Sequence, residues 1–522
     1  MSLLGIDVGT TGSKAVVFAL DGTILGTSYT EYDISRPQPG YAELDAQAIW
    51  PRIKDVIARA VADAGTGAPG GTSVGRSSRT SGAAGGGAGD AIEALAVSSM
   101  GENLVPVSKD RRILGPSIMN MDERGEEFVP ALAEAFSASE LYRLTGNALT
   151  NQFSITKMMW TKKYLPELYE KTDFFLVWNS FVAFMLGGEA RADYSLANRM
   201  LLFDVDREDW SPDLLKASGL DREKLPPVAP AGTPIGTVAD GVADELELPR
   251  GVPIVVGTHD QCAASLGSGA IEKGTAMWGL GTFQCIAPVY AGRKPADAML
   301  ERGLNTEHHA VPDRFITLIY NMGGSVVKWY RNTFAGREHE EALAAGEDVY
   351  PRLFSELPAD PSSVRVLPHF APMGPPDFIE KPDGAVVGLT LGTSRGEILK
   401  GILEGNIFSL KISVDALDAV DVAIDEFRTT GGGAKSDAGL QLCADIMGRP
   451  CVRPEVTEAG ALGSAILAAV GSGIYSSADE AISRTIRLGP RYEPDMKMHE
   501  RYREPFEEYR ELRRFVVNRR GG

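Results

Sequence analysis

The chain has 522 residues, and 52 Lys and Arg stand against 70 Asp and Glu, so its formal net charge at pH 7 is −18. Apolar residues make up 43% and charged residues 23%, as in a globular protein, and the length predicts roughly two to four domains, with two large lobes as the best fit. The acidic balance disfavours nucleic acid and anionic membranes as partners, because those require surfaces rich in Lys and Arg.

The N-terminal segment carries the first candidate site. The run from Leu3 to Lys14 places one acid and several small donors between an apolar stretch and a second apolar stretch, which predicts strand, Gly-Thr turn and strand. Backbone N–H groups and hydroxyls in such a turn can converge on a phosphate, Lys14 adds positive charge, and Asp7 could hold Mg²⁺ through water. An ordinary hairpin fits the same pattern, since short Gly-rich turns match by chance.

The next elements are a helix, an insertion and a strand. Helical spacing of apolar residues runs from Trp50 to Asp63, and Ile92 to Val97 forms a strand. Residues 64–89 between them are nearly all Gly, Ala, Ser, Thr and Arg, which predicts a surface insertion that interrupts a domain without ending it. The start of the chain lacks a basic stretch leading into an apolar run, and the sequence has no apolar segment of membrane-spanning length, so we expect a cytoplasmic protein.

Polar residues follow two strands of the first lobe. The candidates for binding a polyhydroxylated ligand are Glu102, Asn103, Asp122 and Arg124. Solvated turns would have the same composition, because acids on surface loops are usually exposed. Helices are predicted from Leu141 to about Leu220, and a proline-rich connection then leads to a lobe boundary near Gly251.

A third candidate site lies at the end of the strand that begins near Pro253. Asp260 is the candidate general base, since its carboxylate could take the proton of a substrate hydroxyl that attacks a phosphoryl group. His259 is a candidate substrate contact. The alternatives are a helix cap for Asp260, on a helix beginning at Cys262, and a structural role for His259. The four cysteines form no C-x-x-C pair and are predicted to be reduced thiols.

The second lobe repeats the first pattern. Thr275 to Phe283 again runs from an apolar strand into a Gly-Thr turn, which suggests two related domains. A helix from Gly396 to Leu410, a strand from Glu426 to Thr430, and a Gly-rich loop up to Ser436 follow, and this loop could approach a planar ligand closely. The stretch from Arg491 to Arg514 is predicted as a solvent-facing terminal helix.

Five motifs in this order resemble the FGGY carbohydrate kinases. They are Asp7-Val8-Gly9-Thr10-Thr11, Gly257 to Gln261, Gly281-Thr282, Gly388-Leu389-Thr390 and Gly431 to Ser436. The resemblance implies an α/β fold of two ribonuclease-H-like domains of the actin and sugar-kinase superfamily, flanking a cleft for nucleotide and sugar. The expected domains are 1–250 and 251–490, followed by a C-terminal helix and tail at 491–522.

The resemblance also implies roles for single residues. Asp260 matches the general base and Asp7 the acid linked to magnesium, with ATP and Mg²⁺ as cofactors. The expected nucleotide contacts are Thr10, Thr11 and Lys14 in the first phosphate loop, Gly281 and Thr282 in the second, and Gly432, Gly433 and Ser436 in the adenosine loop. Glutamine and glutamate beside the substrate in glycerol kinases correspond to Gln261 and Glu102.

The expected activity is ATP-dependent phosphorylation of a hydroxyl of a ketose, such as the pentulose xylulose, or of a small polyol. Glycerol kinases carry Arg where this chain has Gly101, and the Met-His-Gly of xylulokinases is not matched at Met100, so the motifs do not select the sugar. Two alternatives remain, a non-catalytic sensor of sugar or nucleotide and an ATPase like actin or the chaperones. A homodimer is left open.

Overall fold

The computed structural model describes residues 1–65, 91–371 and 383–518. The predicted insertion at 64–89 lies outside the described residues, except for its first two. The chain forms two compact units. Unit 1 comprises Met1–Gly269, Thr306–Phe315 and Glu458–Arg487, and unit 2 comprises Ala270–Asn305, Ile316–Thr457 and Leu488–Gly522.

Strands and helices alternate along most of the described chain. The strands are β1 Ser2–Val8, β2 Gly12–Ala19, β3 Ile24–Glu31, β4 Glu43–Leu44, β5 Ile92–Ser99, β6 Leu104–Val107, β7 Ser117–Ile118, β8 Phe174–Val177, β9 Ala192–Asp193, β10 Phe203–Asp204, β11 Asp209–Trp210, β12 Val228–Ala229, β13 Pro234–Thr237, β14 Pro253–His259, β15 Gly274–Leu280, β16 Gln284–Ala291, β17 Glu307–His308, β18 Arg314–Ile316, β19 Ile319–Asn321, β20 Arg365–Leu367, β21 Ala385–Val387, β22 Ile424–Thr430, β23 Cys451–Pro454 and β24 Leu488–Tyr492. The helices are α1 Ala46–Ala64, α2 Val129–Ala135, α3 Ala138–Thr145, α4 Ser154–Tyr164, α5 Pro166–Lys171, α6 Trp178–Leu186, α7 Tyr194–Asn198, α8 Pro212–Ser218, α9 Asp240–Leu246, α10 Asp260–Gly267, α11 Ala296–Leu300, α12 Gly323–Phe334, α13 Gly336–Ala345, α14 Tyr350–Phe354, α15 Arg395–Ala416, α16 Asp437–Met447, α17 Ala459–Gly471, α18 Ala478–Thr485, α19 Met496–Arg501 and α20 Arg503–Asn518.

The main sheet of unit 1 has the strand order β13-β14-β5-β1-β2-β3. Strands β1, β5 and β14 are parallel, whereas β2 and β3 continue the sheet antiparallel on one side and β13 does so on the other. The parallel strands are buried almost throughout, as expected for strands covered on both faces, and this explains their continuous apolar runs.

The main sheet of unit 2 repeats this plan. Strands β15, β22 and β23 are parallel, β16 and β19 extend the sheet antiparallel beside β15, and β24 lies antiparallel beside β23. The duplicated architecture predicted from the two Gly-Thr turns is confirmed, since each turn joins the central strand of its sheet to the antiparallel neighbour.

The division into units differs from the predicted domain ranges. Residues 251–269 and 458–487 fall in unit 1, whereas the predicted second domain contained both. The physical reason lies in hydrogen bonding and packing: β14 pairs with β5, and α17 packs against β1, β5 and α10. The functional assignment of the predicted ranges stays a prediction.

The C-terminal stretch also differs from its prediction. It forms the end of β24 and the helices α19 and α20, and its aromatic residues are buried. Tyr502, Phe506 and Tyr509 contact Phe408 of α15 within unit 2. The expectation of a solvent-facing helix is therefore wrong for this face, because the aromatic residues recur at helical spacing. Among the described residues, the structure has no helix with the length and apolarity needed to cross a bilayer.

Glycines bring α17 into backbone contact with its neighbours in unit 1. A Cβ added to Gly463 of α17 would lie 1.9 Å from the carbonyl oxygen of Ala263 in α10, and one on Gly5 of β1 would lie 1.9 Å from that of Ala461. No side chain fits at such distances without moving backbone. The small residues of this helix thus fix how closely it approaches β1 and α10.

We expect Gly463→Ala to destabilise the protein by about 1–3 kcal/mol or more, because the added methyl group meets a carbonyl of an adjacent helix. The midpoint of urea unfolding measures this change. The matched control is Gly241→Ala in α9, where an added Cβ has open space among the described residues. This control should be neutral or stabilising by about 0.5–1 kcal/mol, and equal losses in both variants would contradict the packing argument.

Candidate active site

The carboxyl ends of three parallel strands of unit 1 bring the site together. Asp7 of β1 lies in register with Ser98 of β5, and His259, the last residue of β14, lies in register with Ser99. Asp260 follows as the first residue of α10. Open α/β sheets place functional groups at this edge, because the chain leaves each strand there and its side chains are not needed for the core.

Asp7 is a half-buried acid near the end of β1. Its Oδ1 accepts a hydrogen bond from Ser98 Oγ at 2.7 Å, and a Cβ added to Gly460 in the first turn of α17 would lie 3.0 Å from its Oδ2. Burial and then the negative charge of Asp260 raise the pKa of Asp7 to about 6, although Ser98 and Lys14 act in the opposite direction. Asp7 and Asp260 therefore share one electrostatic environment.

Two side-chain nitrogens lie beside the same oxygen of Asp260. Gln261 Nε2 donates to Asp260 Oδ1 at 2.9 Å, and His259 Nε2 lies 3.3 Å from that atom. The side chain of Asp260 is 28% exposed, so a ligand can reach it. The alternative prediction of a helix cap is not met, because α10 begins at Asp260 itself and its N-cap residue, His259, makes no side-chain capping bond.

His259 connects Asp260 to buried charges. Its Nδ1 lies 2.7 Å from Oε1 of Glu307, which is fully buried in β17. Burial disfavours the charged imidazole, but the attraction of Glu307 and Asp260 outweighs it and raises the pKa of His259 to about 9. The same interaction with His259 holds the pKa of Glu307 below its ordinary value in spite of burial.

Arg199, just after α7, joins this cluster to Glu102. Its Nε donates to Glu102 Oε1 at 2.7 Å, its Nη2 contacts the same oxygen, and its Nη1 lies 3.7 Å from Glu307 Oε2. Glu102 adopts a positive φ of 61°, a backbone conformation that non-glycine residues rarely adopt and that often marks functional sites. Both side chains are nearly completely buried.

His259, Cys262 and Glu307 have ligand atoms within 4.8 Å of one another, an arrangement that could hold a metal ion. The distances favour a hydrogen-bonded cluster. His259 and Glu307 are at hydrogen-bond distance, Cys262 Sγ lies 3.4 Å from the same carboxylate oxygen, and Arg199 already places a positive charge beside Glu307. A further cation there would be repelled by the guanidinium.

The first Gly-Thr turn lies beside Asp7. In the turn between β1 and β2, Thr10 is half-buried and Thr11 is exposed. The hydroxyl of Tyr32 donates to the carbonyl oxygen of Gly9 at 2.6 Å. Lys14 lies opposite Asp7 on β2, and its Nζ forms a 2.5 Å ion pair with Glu458, the residue before α17. The structure thus brings Lys14 and Asp7 together, with Lys14 bound to an internal partner.

The other predicted substrate residues are committed to protein partners. Asn103 Oδ1 accepts from the backbone N–H of Asn120 at 2.6 Å. Asp122 and Arg124 form a buried ion pair with N–O distances of 2.6–2.8 Å, and the Arg124 guanidinium also binds Glu43 and lies over the rings of Tyr41 and Trp160. A direct substrate contact by this pair stays a prediction.

The predicted nucleotide loops of unit 2 lie beside each other. Gly281 and Thr282 form the exposed turn after β15, and their carbonyls accept N–H bonds from Gly324 and Ser325 at the start of α12. The Gly-rich loop follows β22, which is parallel to β15, and a Cβ on Gly433 would lie 3.0 Å from Leu280 at the end of β15. Ser436 Oγ caps α16 by accepting from Gly439 N, while Gly432 borders open space.

The sequence analysis missed Ser98, Arg199 and Glu307. Ser98 lies within a strand that reads as apolar core, and Arg199 follows a helix of five residues. Glu307 precedes the two adjacent histidines, and its only sequence signal is an acid in a buried strand. A buried acid of this kind requires a partner, so it could have been flagged, but the partner could not have been named.

Comparisons with known proteins identify the family of the chain. The model of the N-terminal domain of the FGGY family of carbohydrate kinases matches residues 2–267, and that of the C-terminal domain matches residues 296–472. The xylulose kinase of Bacillus subtilis is 25% identical over 511 residues, which cover 98% of this chain and 96% of that protein. The glycerol kinase of Bordetella parapertussis is 30% identical over 502 residues, which cover 92% of this chain and 90% of that protein.

The fold is that of solved sugar kinases as well. The crystal structure of xylulose kinase from Rhodospirillum rubrum aligns with a TM-score of 0.83 at 23% identity, covering 99% of both chains. The predicted fold of two α/β domains of the actin and sugar-kinase superfamily is thus confirmed. With both family models matched in order and a relative at 30% identity over most of its length, the chain belongs to the FGGY family of carbohydrate kinases and is a phosphotransferase.

Proposed function

We propose that this protein transfers the terminal phosphoryl group of ATP to a hydroxyl of a ketose, such as the pentulose xylulose, or of a small polyol, with Asp260 as general base. The observation that carries the proposal is the orientation of Asp260. Gln261 donates to its Oδ1 and His259 Nε2 lies 3.3 Å from the same atom, so Oδ2 is the oxygen left to accept a substrate proton, and the side chain is reachable. Such positioning is the main contribution a protein makes to phosphoryl transfer.

The proposed reaction is a single in-line displacement. The substrate hydroxyl gives its proton to Asp260 as its oxygen forms a bond to the terminal phosphorus. The bond from that phosphorus to the bridging oxygen breaks, and its electron pair leaves on the diphosphate product. Glu102 and Gln261 are the proposed contacts to the substrate hydroxyls. Both ring nitrogens of His259 face carboxylates, so a direct substrate contact by His259 stays a prediction.

The proposed nucleotide contacts lie in both units. In unit 1 they are the hydroxyls of Thr10 and Thr11 and the ammonium of Lys14, which would exchange Glu458 for a phosphate. In unit 2 they are the turn at Gly281 and Thr282 and the loop containing Gly432, Gly433 and Ser436. Glycines leave backbone N–H groups accessible, and N–H groups and hydroxyls are the donors that phosphates require.

Asp7 fits a magnesium-linked role. Burial of Asp7 and then the charge of Asp260 raise the pKa of the Asp7 carboxyl, and the part due to Asp260 is a repulsion between like charges that a cation would relieve. Asp7 would hold Mg²⁺ through its water shell, and the bound ion would neutralise phosphate charge. A cytoplasmic location and a homodimer stay predictions.

We expect Asp260→Asn to lower kcat by about 10²-fold or more, because the amide cannot accept the proton, while ATP still binds. Coupled measurement of ADP release gives kcat, and calorimetry gives ATP affinity. The matched control is Asp240→Asn, which removes the acid from the first position of another unit 1 helix, α9, and should leave kcat unchanged. Near-normal turnover of Asp260→Asn would refute the role of base.

A panel of acceptors separates the proposed function from the alternatives. We expect ADP release to require an added acceptor, with D-xylulose and glycerol as the first two compounds. Equal ADP release with and without any acceptor would instead identify an ATPase like actin or the chaperones. Binding of sugar and nucleotide with no ADP release would identify a sensor.

We expect Asp7→Asn to stabilise the protein at pH 8 by about 1–3 kcal/mol. The native pKa of about 6 exceeds the ordinary 3.8, so the native state disfavours the ionised form, and the free energy of unfolding falls as pH rises through 6. The gain should disappear near pH 4, where the wild-type carboxyl is protonated. Urea unfolding in chelator-containing buffer at the two pH values measures it.

The control for this pH dependence is Asp21→Asn. The pKa of Asp21 is held below its ordinary value by hydrogen bonds from Thr23, so its charged form is favoured in the native state. This variant should be less stable than the wild type at pH 8. A stabilising effect of both substitutions, or a gain for Asp7→Asn that is the same at both pH values, would contradict the electrostatic origin.

A further inference from the structure

Five charged side chains of unit 1 form an unbroken series with alternating charges. Glu102 binds Arg199, Arg199 lies against Glu307, Glu307 binds His259, and His259 reaches Asp260. The distances between successive nitrogen and oxygen atoms along the series are 2.7, 3.7, 2.7 and 3.3 Å. Its two ends are the proposed sugar-binding carboxylate and the proposed base.

The geometry around His259 favours protonation of both of its ring nitrogens. Each nitrogen faces a carboxylate oxygen, Nδ1 that of Glu307 and Nε2 that of Asp260, and a neutral imidazole can donate from only one nitrogen. If Glu307 took that single proton, the lone pair of Nε2 would face Asp260 and repel it. A second proton turns this repulsion into a charge-assisted hydrogen bond.

Other charged and titratable groups around His259 are few. Arg199 opposes its positive charge from the segment after α7, whereas Asp193, the N-cap of α7, favours it. Cys262 on α10 contacts the same oxygen of Glu307, and burial together with the charges of Glu307 and Asp193 raises the pKa of its thiol well above the ordinary value, so it remains neutral. Glu307 and Asp260 are therefore the groups that decide the charge of the imidazole.

Arg199 reaches Glu102 because residue 101 is glycine. A Cβ added to Gly101 would lie 3.1 Å from Cγ and 3.4 Å from Nε of Arg199, so the arginine stem occupies the space a side chain would need. The guanidinium that orients Glu102 thus belongs to Arg199, which follows α7, and not to a residue next to Glu102 in the sequence. Because Arg199 and Glu102 are nearly completely buried, this pair excludes water and has few alternative geometries.

We propose that Glu307 and Arg199 are positioning residues: Glu307 holds His259 as an imidazolium, and Arg199, which bridges Glu307 and Glu102, couples the orientation of Glu102 to that of Asp260. The proposal rests on the proposed role of Asp260. It assigns no substrate contact to Arg199 or Glu307. The imidazolium fixes Oδ1 of Asp260 and leaves Oδ2 for a substrate hydroxyl. Arg199 fixes Oε1 of Glu102, and Oε2, which accepts from Asn120 Nδ2 at 3.4 Å, keeps a second lone pair that a substrate hydroxyl can use.

The first test measures the charge of His259 without turnover. In the wild-type protein labelled with ¹³C at histidine Cε1, the signal of His259, assigned by its loss in His259→Asn, should remain that of an imidazolium at pH 8 and titrate near pH 9. Titration at or below about 6.5, the ordinary value for histidine, would overturn the proposal. This outcome is independent of whether Asp260→Asn abolishes catalysis, so the two failures are distinguishable.

The second test uses the pH profile of kcat in Glu307→Gln. Loss of the Glu307 charge lowers the pKa of His259, so we expect the alkaline limb of the profile to move toward neutral pH by about two units. At pH 8 kcat should fall about 10-fold or more, while at pH 6 it should stay within about 3-fold of wild type, because the imidazole is then still protonated. A loss of equal size at all pH values would mean a merely structural role and would refute the proposal.

Two further variants complete the second test. Cys262→Ser perturbs the same oxygen of Glu307 without removing charge, so its alkaline limb should stay in place, and a shift as large as that of Glu307→Gln would contradict the assignment to charge.

Arg199→Lys keeps the charge but not the two-nitrogen contact with Glu102. The Arg199→Lys variant should raise KM for the sugar about 10-fold and leave KM for ATP unchanged. Equal increases in the two KM values would overturn the coupling to Glu102.

Discussion

The structure of unit 1 depends on holding two like charges together at one edge of a sheet. Asp7 lies near the end of β1, and Asp260 directly follows β14, on the other side of β5. The charge of Asp260 contributes to raising the pKa of Asp7. Such repulsion would separate the two acids if their elements could move. The backbone of α17 is in direct contact with that of β1 and α10, because glycine at positions 5 and 463 allows this close approach. This close packing holds the elements that carry the two acids in place. Tight packing thus maintains an unfavourable electrostatic arrangement that a bound cation would relieve.

The buried charges next to Asp260 follow the opposite rule, since each has a partner of opposite sign. Removing a carboxylate such as Glu307 from water is unfavourable by several kcal/mol, and attraction offsets this only where the geometry is good. His259 at 2.7 Å and Arg199 at 3.7 Å provide that attraction. A buried series of this kind contributes little net stability, but it admits few alternative arrangements of the acids at its ends. Orientation of Asp260, rather than stability, is therefore what the series can supply.

The fold could be predicted from the sequence because its main features depend on short contiguous patterns of residues. The Gly-Thr turns after apolar strands are contiguous, and their recurrence in each half predicted two related sheets. The edge residues Asp7 and Asp260 were also found from local context, since each follows an apolar strand. Arg199 and Glu307 could not be found in this way, because their meaning arises from contacts with residues 97 and 48 positions away along the chain. Asp122 and Arg124 are local partners of each other, but their burial depends on contacts of Arg124 with the distant residues Glu43, Tyr41 and Trp160, so from sequence they looked like free loop residues.

The duplicated sheet carries opposite chemistry at equivalent positions. In unit 1 the residue two positions before the Gly-Thr turn is Asp7, and in unit 2 it is Gly279. The neighbouring parallel strand ends in Ser98 and Ser99 in unit 1, and in Thr429 and Thr430 followed by Gly431, with a φ of 83°, in unit 2. In unit 1 these strand ends thus concentrate carboxylates that can accept a proton and attract a cation. In unit 2 the corresponding described residues offer backbone N–H groups and hydroxyls, which suit anionic and planar ligands. Because the backbone topology is shared, this difference in chemistry must come from a few residues at the strand ends. A substitution that placed an acid at Gly279 would introduce into unit 2 the negative charge that its proposed phosphate-binding turn has to exclude.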